Sequence, residues 1–327
     1  MWLQSYSSTE RCQNEAFVKG ASREKRLRSN RWAGWVRMKA RGAGENIGGF
    51  NIPPCLDKAG NPVLPPISML VTRESVAEEP VSNASARAVS TWSGSAREQA
   101  VQRMFTSIAG VYDLNNTLLS FGLHYRWKKI TAGHVPCIDA GTALDVGAGT
   151  ADLALFVQPR MGVRGRVIAS DLNYAMLTEG LKKIDGSGLT GKITCLQANA
   201  EHLGFEDNTF DAVTTGFCMR NVGNLAQAVG EIRRVMKPGG TFVCLEFSRP
   251  VFGWLRALYD WYSFKLLPWV GTKVARDKTG VYEYLPASIR AFPDQERLCS
   301  ILREAGFRQV SYRNLNGGIV AIHVAVK

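Results

Sequence analysis

The stretch TALDVGAGTAD, residues 142–152, decides the fold of this chain. It opens with a short apolar run that ends at Gly147, and a helical pattern follows from about residue 151. The glycines of Gly147-x-Gly149 let the backbone pass close to a ligand while it turns from a strand into a helix. The stretch therefore predicts the first strand–turn–helix unit of a nucleotide-binding α/β domain.

The alternation of strand and helix continues after this unit. Apolar runs predict further buried strands at 166–170, 192–198, 210–216 and 241–247. Helical patterns predict helices at 174–184, at 225–236 with a stop at Pro238-Gly239-Gly240, and at 294–305 with Gly306 at its end. Buried strands that alternate with helices indicate a parallel, doubly wound sheet.

The chain ends with two strand-like runs that Asn316-Gly317-Gly318 separates. Such a turn between two apolar runs predicts an antiparallel hairpin. Five parallel strands closed by a hairpin match the seven-stranded, Rossmann-like sheet of class I methyltransferases better than a dehydrogenase sheet. This is the fold class that we expect.

Acidic residues around the glycine turn indicate the kind of cofactor. The third glycine of the dinucleotide fingerprint is absent, and Asp152 stands where a diphosphate needs a bare helix N-terminus. Asp145 precedes the turn and completes the pattern Asp145-x-Gly147-x-Gly149. S-adenosylmethionine, a cationic cofactor without phosphate, suits this acidic helix N-terminus better than a dinucleotide does.

Two later strand ends supply further candidates for cofactor binding. Asp171 ends the second predicted strand and is placed to accept both ribose hydroxyls, although it could instead begin the next helix. Asn199 and Ala200 follow the third strand and could meet the adenine edge, with a simple turn as the alternative.

Composition places the chain among ordinary globular proteins. Hydrophobic residues make up 45% and charged residues 21%, and we find no apolar run of 18 residues, the length that predicts a transmembrane helix. The net charge of +12 depends largely on residues 19–41, where nine Lys/Arg face one acid, so it does not predict a nucleic-acid partner. The seven cysteines form no C-x-x-C pair, and no cluster has metal-ligand spacing.

Residues 1–98 differ in composition and in hydrophobic pattern from the rest of the chain. They lack a sustained apolar periodicity and mix Ser, Ala, Gly, Pro and Arg. We interpret them as an extension that is disordered, or that precedes a true translation start at Met69. A targeting peptide is the alternative. The methyltransferase domain is then expected over residues 99–327.

Two long stretches carry a resemblance to a known family. YDLNNTLLSFGLHYRW (112–127) and RVMKPGGTFVCLEFS (234–248) closely resemble the two signatures of the ubiquinone/menaquinone biosynthesis C-methyltransferases, the UbiE type. In the first signature Asn115 stands where the family usually has Met. DVGAGTAD, QANAEHLGFEDNTFD, MRNV and the segment from SIRAFPDQERL to GIVAIH extend the likeness over about residues 101–327.

The resemblance implies an activity and a set of cofactor contacts. Such enzymes transfer the methyl group of S-adenosylmethionine to a ring carbon of a polyprenylated quinol, with demethylmenaquinol to menaquinol as the leading reaction here. The implied contacts are Thr150, Asp171 and Asn199-Ala200. The loop GFCMRN departs from the family, because Gly216 replaces a Ser and Cys218 a Gly, so the contact at Gly216 must come from backbone or water.

Candidate catalytic residues lie on two segments. Arg220 and Asn221 follow the fourth strand, where Arg220 could stabilise a developing phenolate or instead pair with an acid to hold the loop. His124 is the better titratable group, with a packing role as its alternative. Tyr112 and Asp113 could close over the cofactor or cap a helix, and Glu246 could belong to the site or pair with Arg or Lys.

Residues 247–292 hold 11 of the 31 aromatic residues. Trp254, Tyr259, Trp261, Tyr262, Phe264 and Trp269 alternate there with Arg256, Lys265 and Lys273. We interpret this insertion as a helical cap that holds a prenyl tail at a membrane surface, against the alternative of a cap folded on its own core.

Three further questions stay open at the level of the sequence. The chain could methylate another small molecule, or act as a non-catalytic scaffold in quinone biosynthesis. It could form a homodimer or join a quinone-biosynthesis complex. We expect a cytoplasmic protein at the inner face of the membrane, with the matrix side of the mitochondrial inner membrane as the alternative.

Overall fold

The computed structural model describes residues 94–267, 269 and 280–327. Nearly all of the predicted extension, including Met69, lies outside the described residues, as does Lys273 of the predicted cap. Those predictions stay predictions.

A seven-stranded sheet forms the centre of the described part. The strands are β1 Thr142–Val146, β2 Arg166–Asp171, β3 Ile193–Gln197, β4 Phe210–Gly216, β5 Met236–Phe247, β6 Arg308–Leu315 and β7 Val320–Val326. They lie in the order β3-β2-β1-β4-β5-β7-β6. Strands β1 to β5 are parallel, and β7 is antiparallel to both β5 and β6. The predicted sheet and its closing hairpin are confirmed.

Helices cover both faces of the sheet and its carboxyl edge. They are α1 Gly94–Ile108, α2 Tyr112–Ser120, α3 Leu123–Gly133, α4 Asp152–Val157, α5 Tyr174–Gly186, α6 Leu225–Val235, α7 Gly253–Trp261, α8 Val281–Ala291 and α9 Gln295–Glu304. A π-helical turn, Tyr262–Leu266, extends α7. None of the described helices is both long and apolar enough to cross a bilayer.

The core consists of two apolar layers, one on each face of the sheet. Ala143 belongs to one layer and the adjacent Leu144 to the other, because successive side chains of a strand point to opposite faces. Both residues have no exposed surface. A sheet that is buried on both faces explains why its central strands read as continuous apolar runs.

The predicted stop of α6 differs from the structure in one respect. The helix ends at Val235, and β5 already begins at Met236 and continues through Pro238-Gly239-Gly240. Backbone partners on both sides hold this segment extended: Gly239 N donates to Lys327 O at 2.9 Å, and Met236 pairs with Phe210 before a shift in register. The helix therefore ends before the glycines, which lie within the first residues of β5.

The first described helix begins ahead of the predicted domain boundary. Helix α1 starts at Gly94, whereas the sequence pattern placed the domain from residue 99. The Arg97 guanidinium donates to the Arg220 carbonyl at 3.1 Å. The chain just before residue 99 therefore contributes to the structure around the candidate site.

Candidate active site

A first cavity lies at the carboxyl ends of β1, β2, β3 and β4. Eight of the residues predicted from the sequence line it: Gly147, Gly149, Asp171, Asn199, Ala200, Gly216, Asn221 and Tyr112. Parallel strands end at one edge of the sheet, so residues far apart in the chain meet there. The structure thus brings most of the predicted cofactor residues together around one space.

The glycine turn fits a ligand that approaches the backbone closely. Gly147 has φ +66° and Gly149 has φ +55°, in the left-handed region that favours glycine. A Cβ on Gly147 would overlap the Cys218 side chain, 2.5 Å from its Cβ, and one on Gly149 would lie 3.3 Å from Met176 Cε. Any side chain at Gly147 would therefore displace the loop that carries Cys218.

Asp171 closes the cavity at the end of β2. Its Oδ2 accepts the Gly149 N–H at 2.8 Å, and its Oδ1 accepts the Asn173 N–H at 2.7 Å. Burial raises the pKa of Asp171, while these backbone bonds act against that rise. Each oxygen keeps one lone pair, so the carboxylate can still accept a diol such as a ribose. The alternative that Asp171 itself caps helix α5 is wrong, because Asn173 is the N-cap and accepts the Met176 N–H.

Asp145 lies beneath this cavity rather than in its wall. Its Oδ1 accepts the Thr214 hydroxyl at 2.8 Å, and its Oδ2 has no hydrogen-bond partner within the described chain. Burial raises the pKa of Asp145 to about 7. An unpartnered buried acceptor under the glycine turn suits the charge of a cationic ligand above it.

An ion-pair network changes the interpretation of Asp152. Its two carboxylate oxygens bind Lys128 at 2.8 Å and Lys183 at 2.5 Å. The expectation that Asp152 offers a free negative charge to the cofactor is wrong, because two lysines already neutralise it. The sequence could not show this, since the lysines lie 24 and 31 residues away along the chain.

The same network holds Thr150 and Asp113. The Thr150 hydroxyl donates to Asp113 Oδ1 at 2.8 Å and accepts from Lys183 Nζ at 2.9 Å. Thr150 therefore does not line the cavity, and its hydroxyl is occupied within the protein. Asp113 ties the first turn of α2 to the glycine loop, and the adjacent Tyr112 is held in the cavity wall.

A second, larger cavity adjoins the first. It has a volume of about 370 Å³, and its walls come mainly from α2, α3, α7, the π-helical turn and α8. The two cavities share Tyr112 and Phe217 as lining residues. Tyr262 donates its hydroxyl to the Leu119 carbonyl at 3.0 Å and so ties the cap to α2. The walls are mostly apolar, which suits a hydrophobic ligand.

Arg220 and Lys128 are charged residues that line this cavity. The Arg220 Nη1 binds Glu246 Oε1 at 2.7 Å and the Phe217 carbonyl at 2.6 Å. The guanidinium also lies 5.3 Å from the centre of the Phe247 ring. Its Nε is buried and has no partner among the described residues. Pairing with Glu246 keeps the pKa of Arg220 above its ordinary value despite burial, so the donor stays charged.

His124 lines the same cavity from α3. Its Nε2 lies 3.1 Å from the Thr117 hydroxyl, which itself donates to the Asp113 carbonyl at 2.7 Å. Because that hydroxyl proton is already used, Nε2 must carry the proton and Nδ1 must be the bare acceptor. Nδ1 is buried without a partner in the described part. Burial and Lys128 lower the pKa of His124 to about 4, so the ring is neutral at pH 7.

Several residues of the site were not predicted. Tyr284 donates its hydroxyl to Asn221 Oδ1 at 3.0 Å and orients that side chain. Glu98, Gln102 and Phe105 of α1 line the first cavity, and Glu98 accepts from the Asn199 amide at 3.4 Å. An apolar spacing over residues 98–108 could have revealed α1, but nothing in the sequence pairs Tyr284 with Asn221.

The order of the sheet, the glycine turn and the acid at the end of β2 together define a class I methyltransferase that uses S-adenosylmethionine. A solved structure supports the fold: a chain in the complex of the Haloferax volcanii Trm112 methyltransferase activator with a proposed methyltransferase. It aligns with a TM-score of 0.50 at 15% identity, over 68% of this chain and 96% of that one.

Sequence comparison then gives the family. Residues 93–327 match the ubiE/COQ5 methyltransferase family, and the chain belongs to it. It is 44% identical to the ubiquinone/menaquinone biosynthesis C-methyltransferase UbiE of Francisella philomiragia, over 71% of this chain and 92% of that protein. It is 45% identical to the UbiE of Vibrio vulnificus strain YJ016, over 69% of this chain and 87% of that protein.

Membership confirms the expected family, enzyme class and cofactor. The chain is an S-adenosylmethionine-dependent C-methyltransferase. Gly147 and Asp171 fit that cofactor, because both line the cavity and Asp171 offers acceptor oxygens for a diol. Within the described residues, no group of three or more His, Cys, Asp or Glu could hold a metal ion.

Proposed function

We propose that this enzyme methylates a ring carbon of a polyprenylated quinol, with demethylmenaquinol as the leading substrate. One observation carries the proposal: a mostly apolar cavity of about 370 Å³ shares Tyr112 and Phe217 with the cofactor cavity. A ring beside these two residues lies next to the cofactor, and a prenyl tail can extend along the apolar walls.

Two residues that line this cavity each have an unpartnered polar atom that suits a quinol ring. Arg220 Nε is a donor and His124 Nδ1 is an acceptor, and both residues line the walls. A quinol has two ring oxygens, so one can accept from Arg220 as it becomes a phenolate while the other hydroxyl donates to His124. The donor stabilises the charge that makes the ring carbon nucleophilic.

Bound S-adenosylmethionine supplies an electrophilic methyl group, and the protein positions the ring toward it. Asn221 lines the cofactor cavity, and Tyr284 holds its side chain. With a pKa of about 4, His124 is a weak base against a phenol near 10, so it accepts a hydrogen bond rather than the proton itself. We propose that water carries the proton away, because Arg220 stays charged.

The rim of the cavity supports uptake from a membrane. Phe121, Leu258 and Trp261 line the cavity and are also 84%, 54% and 57% exposed. Exposed aromatic and apolar side chains at one opening are typical of surfaces that meet a bilayer. We propose peripheral contact at the inner face of a bacterial cytoplasmic membrane, with the matrix face of the mitochondrial inner membrane as the second candidate. A homodimer or a larger quinone-biosynthesis assembly stays a prediction that sedimentation of the full chain can test.

The decisive experiment is a methyl-transfer assay with matched acceptors. We expect turnover with demethylated naphthoquinol or benzoquinol that carries a short prenyl tail, and a lower KM as the tail lengthens. Catechol, a small phenol without a tail, serves as the control acceptor. Turnover with catechol equal to that with the tailed quinols would indicate another small-molecule substrate. Cofactor binding without turnover on any acceptor would favour the scaffold.

A further inference from the structure

The cap has a second cavity on its outer side. It has a volume of about 80 Å³ and lies between the end of β5, α7 and α8. It shares Tyr259, Ser263, Pro286 and Ile289 with the substrate cavity, so these residues form a common wall. A single water needs roughly 10–15 Å³ by the same measure. The space therefore suits a group of a few heavy atoms, such as a phosphate.

Positive charge dominates the lining of this cavity. Arg249, Arg256 and Arg290 line it together with one acid, Asp260. Asp260 accepts from Arg290 at 2.6 Å and is thereby neutralised. Arg249 lies 3.9 Å from Asp294, which is beyond hydrogen-bond distance. The remaining charge favours an anion.

The donors of Arg256 are mostly free. Its Nε and Nη2 donate to the Pro250 carbonyl at 3.3 and 3.1 Å, and it has no carboxylate partner among the described residues. Three of its five N–H bonds remain for a ligand. Arginine binds phosphate oxygens in pairs, so this orientation suits a phosphate.

Ser248 provides an independent sign of a ligand. Its side chain lines the cavity and is 6% exposed, and its Oγ is buried with no partner in the described part of the chain. A buried hydroxyl without a partner costs free energy unless a ligand satisfies it. A rotation of the Ser248 side chain would let a phosphate oxygen in the cavity accept this hydrogen bond.

We propose that this cavity binds the phosphate of an anionic phospholipid headgroup. Phe264, which lines it, is 43% exposed, and the nearby Phe252 and Trp254 are 54% and 70% exposed. A basic site beside exposed aromatic rings matches the charged surface and the apolar interior of a bilayer. The inference rests on the proposed uptake of quinol from a membrane: a lipid held here keeps the substrate opening at the bilayer surface.

The test is sedimentation of the full chain with vesicles of phosphatidylcholine, with and without phosphatidylglycerol. We expect binding that depends on phosphatidylglycerol. The Arg256→Gln variant should bind about five-fold more weakly, and Arg249→Gln/Arg256→Gln up to about 25-fold. Arg256→Lys keeps the charge but loses the paired donors, so its binding should lie between that of the wild type and that of Arg256→Gln. Arg164→Gln, on the loop before β2, removes one exposed arginine at the opposite edge of the sheet and should bind like the wild type.

Two controls separate this site from the catalytic function. All variants should keep the wild-type melting temperature and the wild-type turnover on a short-tailed quinol in solution. Inorganic phosphate should weaken vesicle binding only in part, because the exposed aromatic residues still contact the bilayer. Binding without dependence on phosphatidylglycerol, an equal loss in Arg164→Gln, or stabilisation by inorganic phosphate with no vesicle binding would each overturn the lipid site. Failure of turnover in the wild type would instead reject the proposed substrate.

Discussion

The cofactor cavity and the substrate cavity are built in opposite ways. The cofactor cavity is lined by strand ends, where the Gly147 backbone has a left-handed conformation and each Asp171 carboxylate oxygen accepts one backbone N–H. The substrate cavity uses side chains of helices, and its polar atoms Arg220 Nε and His124 Nδ1 lack partners. Cofactor recognition therefore depends on backbone geometry, and substrate recognition depends on a few side chains in an apolar wall.

The largest effect should come from Arg220→Ala in the substrate cavity. Loss of one preorganised donor should lower turnover by ~10²–10³ while the cofactor Kd stays near the wild-type value. Arg220→Lys keeps the charge but loses the planar fork, so the loss should be partial. Stopped-assay turnover and calorimetric cofactor binding measure the two quantities.

Glu246 complicates this variant and also provides its control. Without the Arg220 guanidinium its buried carboxylate keeps only backbone N–H donors and has no counter-ion, which costs about 3–5 kcal/mol of unfolding free energy. Arg220→Ala/Glu246→Gln should recover most of that stability but none of the turnover. Recovery of both would show that Arg220 only holds the loop.

Gly147→Ala tests whether the cofactor cavity depends on backbone geometry. The new methyl would overlap Cys218 and would have to adopt φ +66°. Overpacking and left-handed strain together should cost about 2–4 kcal/mol of unfolding free energy, and cofactor affinity should fall with it. Adding Cys218→Gly removes the clash but not the strain, so about half of the loss should return. If the double variant recovers no stability, overlap with Cys218 is not the cause of the loss.

Asp171→Ala should weaken cofactor binding by about 1.5–3 kcal/mol, because hydrogen bonds to a charged group are lost. Asp171→Asn is the matched control, since it keeps the shape and one acceptor. Calorimetry gives the affinity, and thermal unfolding shows whether the loop still folds. An unchanged affinity in a folded Ala variant would remove Asp171 from the cofactor site.

His124→Gln should have a smaller effect on turnover, of a few-fold to about ten-fold, because one neutral hydrogen bond is lost. Its effect on acid stability has a definite sign. The folded pKa of His124 is about 4 and the unfolded value is 6.5, so wild-type stability falls as pH drops from 6.5 toward 4. The variant should lose less stability over this window, as urea unfolding at several pH values would measure. If the unfolding free energy falls equally with pH in the wild type and the variant, His124 is not buried as a neutral ring.

Deletion of residues 1–68 should have the smallest effect. The segment shows no periodic apolar face, so melting temperature, cofactor affinity and turnover should all stay close to the full-length values. A large change in any of them would contradict the prediction that the two cavities need only the later part of the chain.

The sequence predicted the sheet well because its strands are buried on both faces. Residues 210–216 and the final hairpin agree closely with the structure, since apolar runs and turn glycines act locally. Most residues predicted to bind the cofactor line one cavity, because strand ends meet at one edge. The sequence left open whether Arg220 stabilises a phenolate or pairs with an acid. Its pairing with Glu246 could not be predicted, because a partner 26 residues away leaves no local pattern.

Side-chain networks account for the remaining differences. Lys128 and Lys183 neutralise Asp152, although its charge had been assigned to the cofactor. Tyr284 orients Asn221 from the cap, 63 residues further along the chain. Such contacts depend on how helices pack on the sheet, and periodicity gives only which face of a helix is buried.

Gln295 joins the two ends of the cap segment by a hydrogen bond. Its amide donates to the Arg249 carbonyl and to Asn314 Oδ1, both at 2.9 Å, so a hydrogen bond joins two points that are 46 residues apart in the chain. The entropy of closing a loop grows only slowly with length, by about 0.6 kcal/mol for each doubling. Segments of other lengths can join these two ends at little thermodynamic cost to the sheet. The part of the substrate cavity that α7, the π-helical turn and α8 form can therefore change in length while the methyl-donor site stays intact.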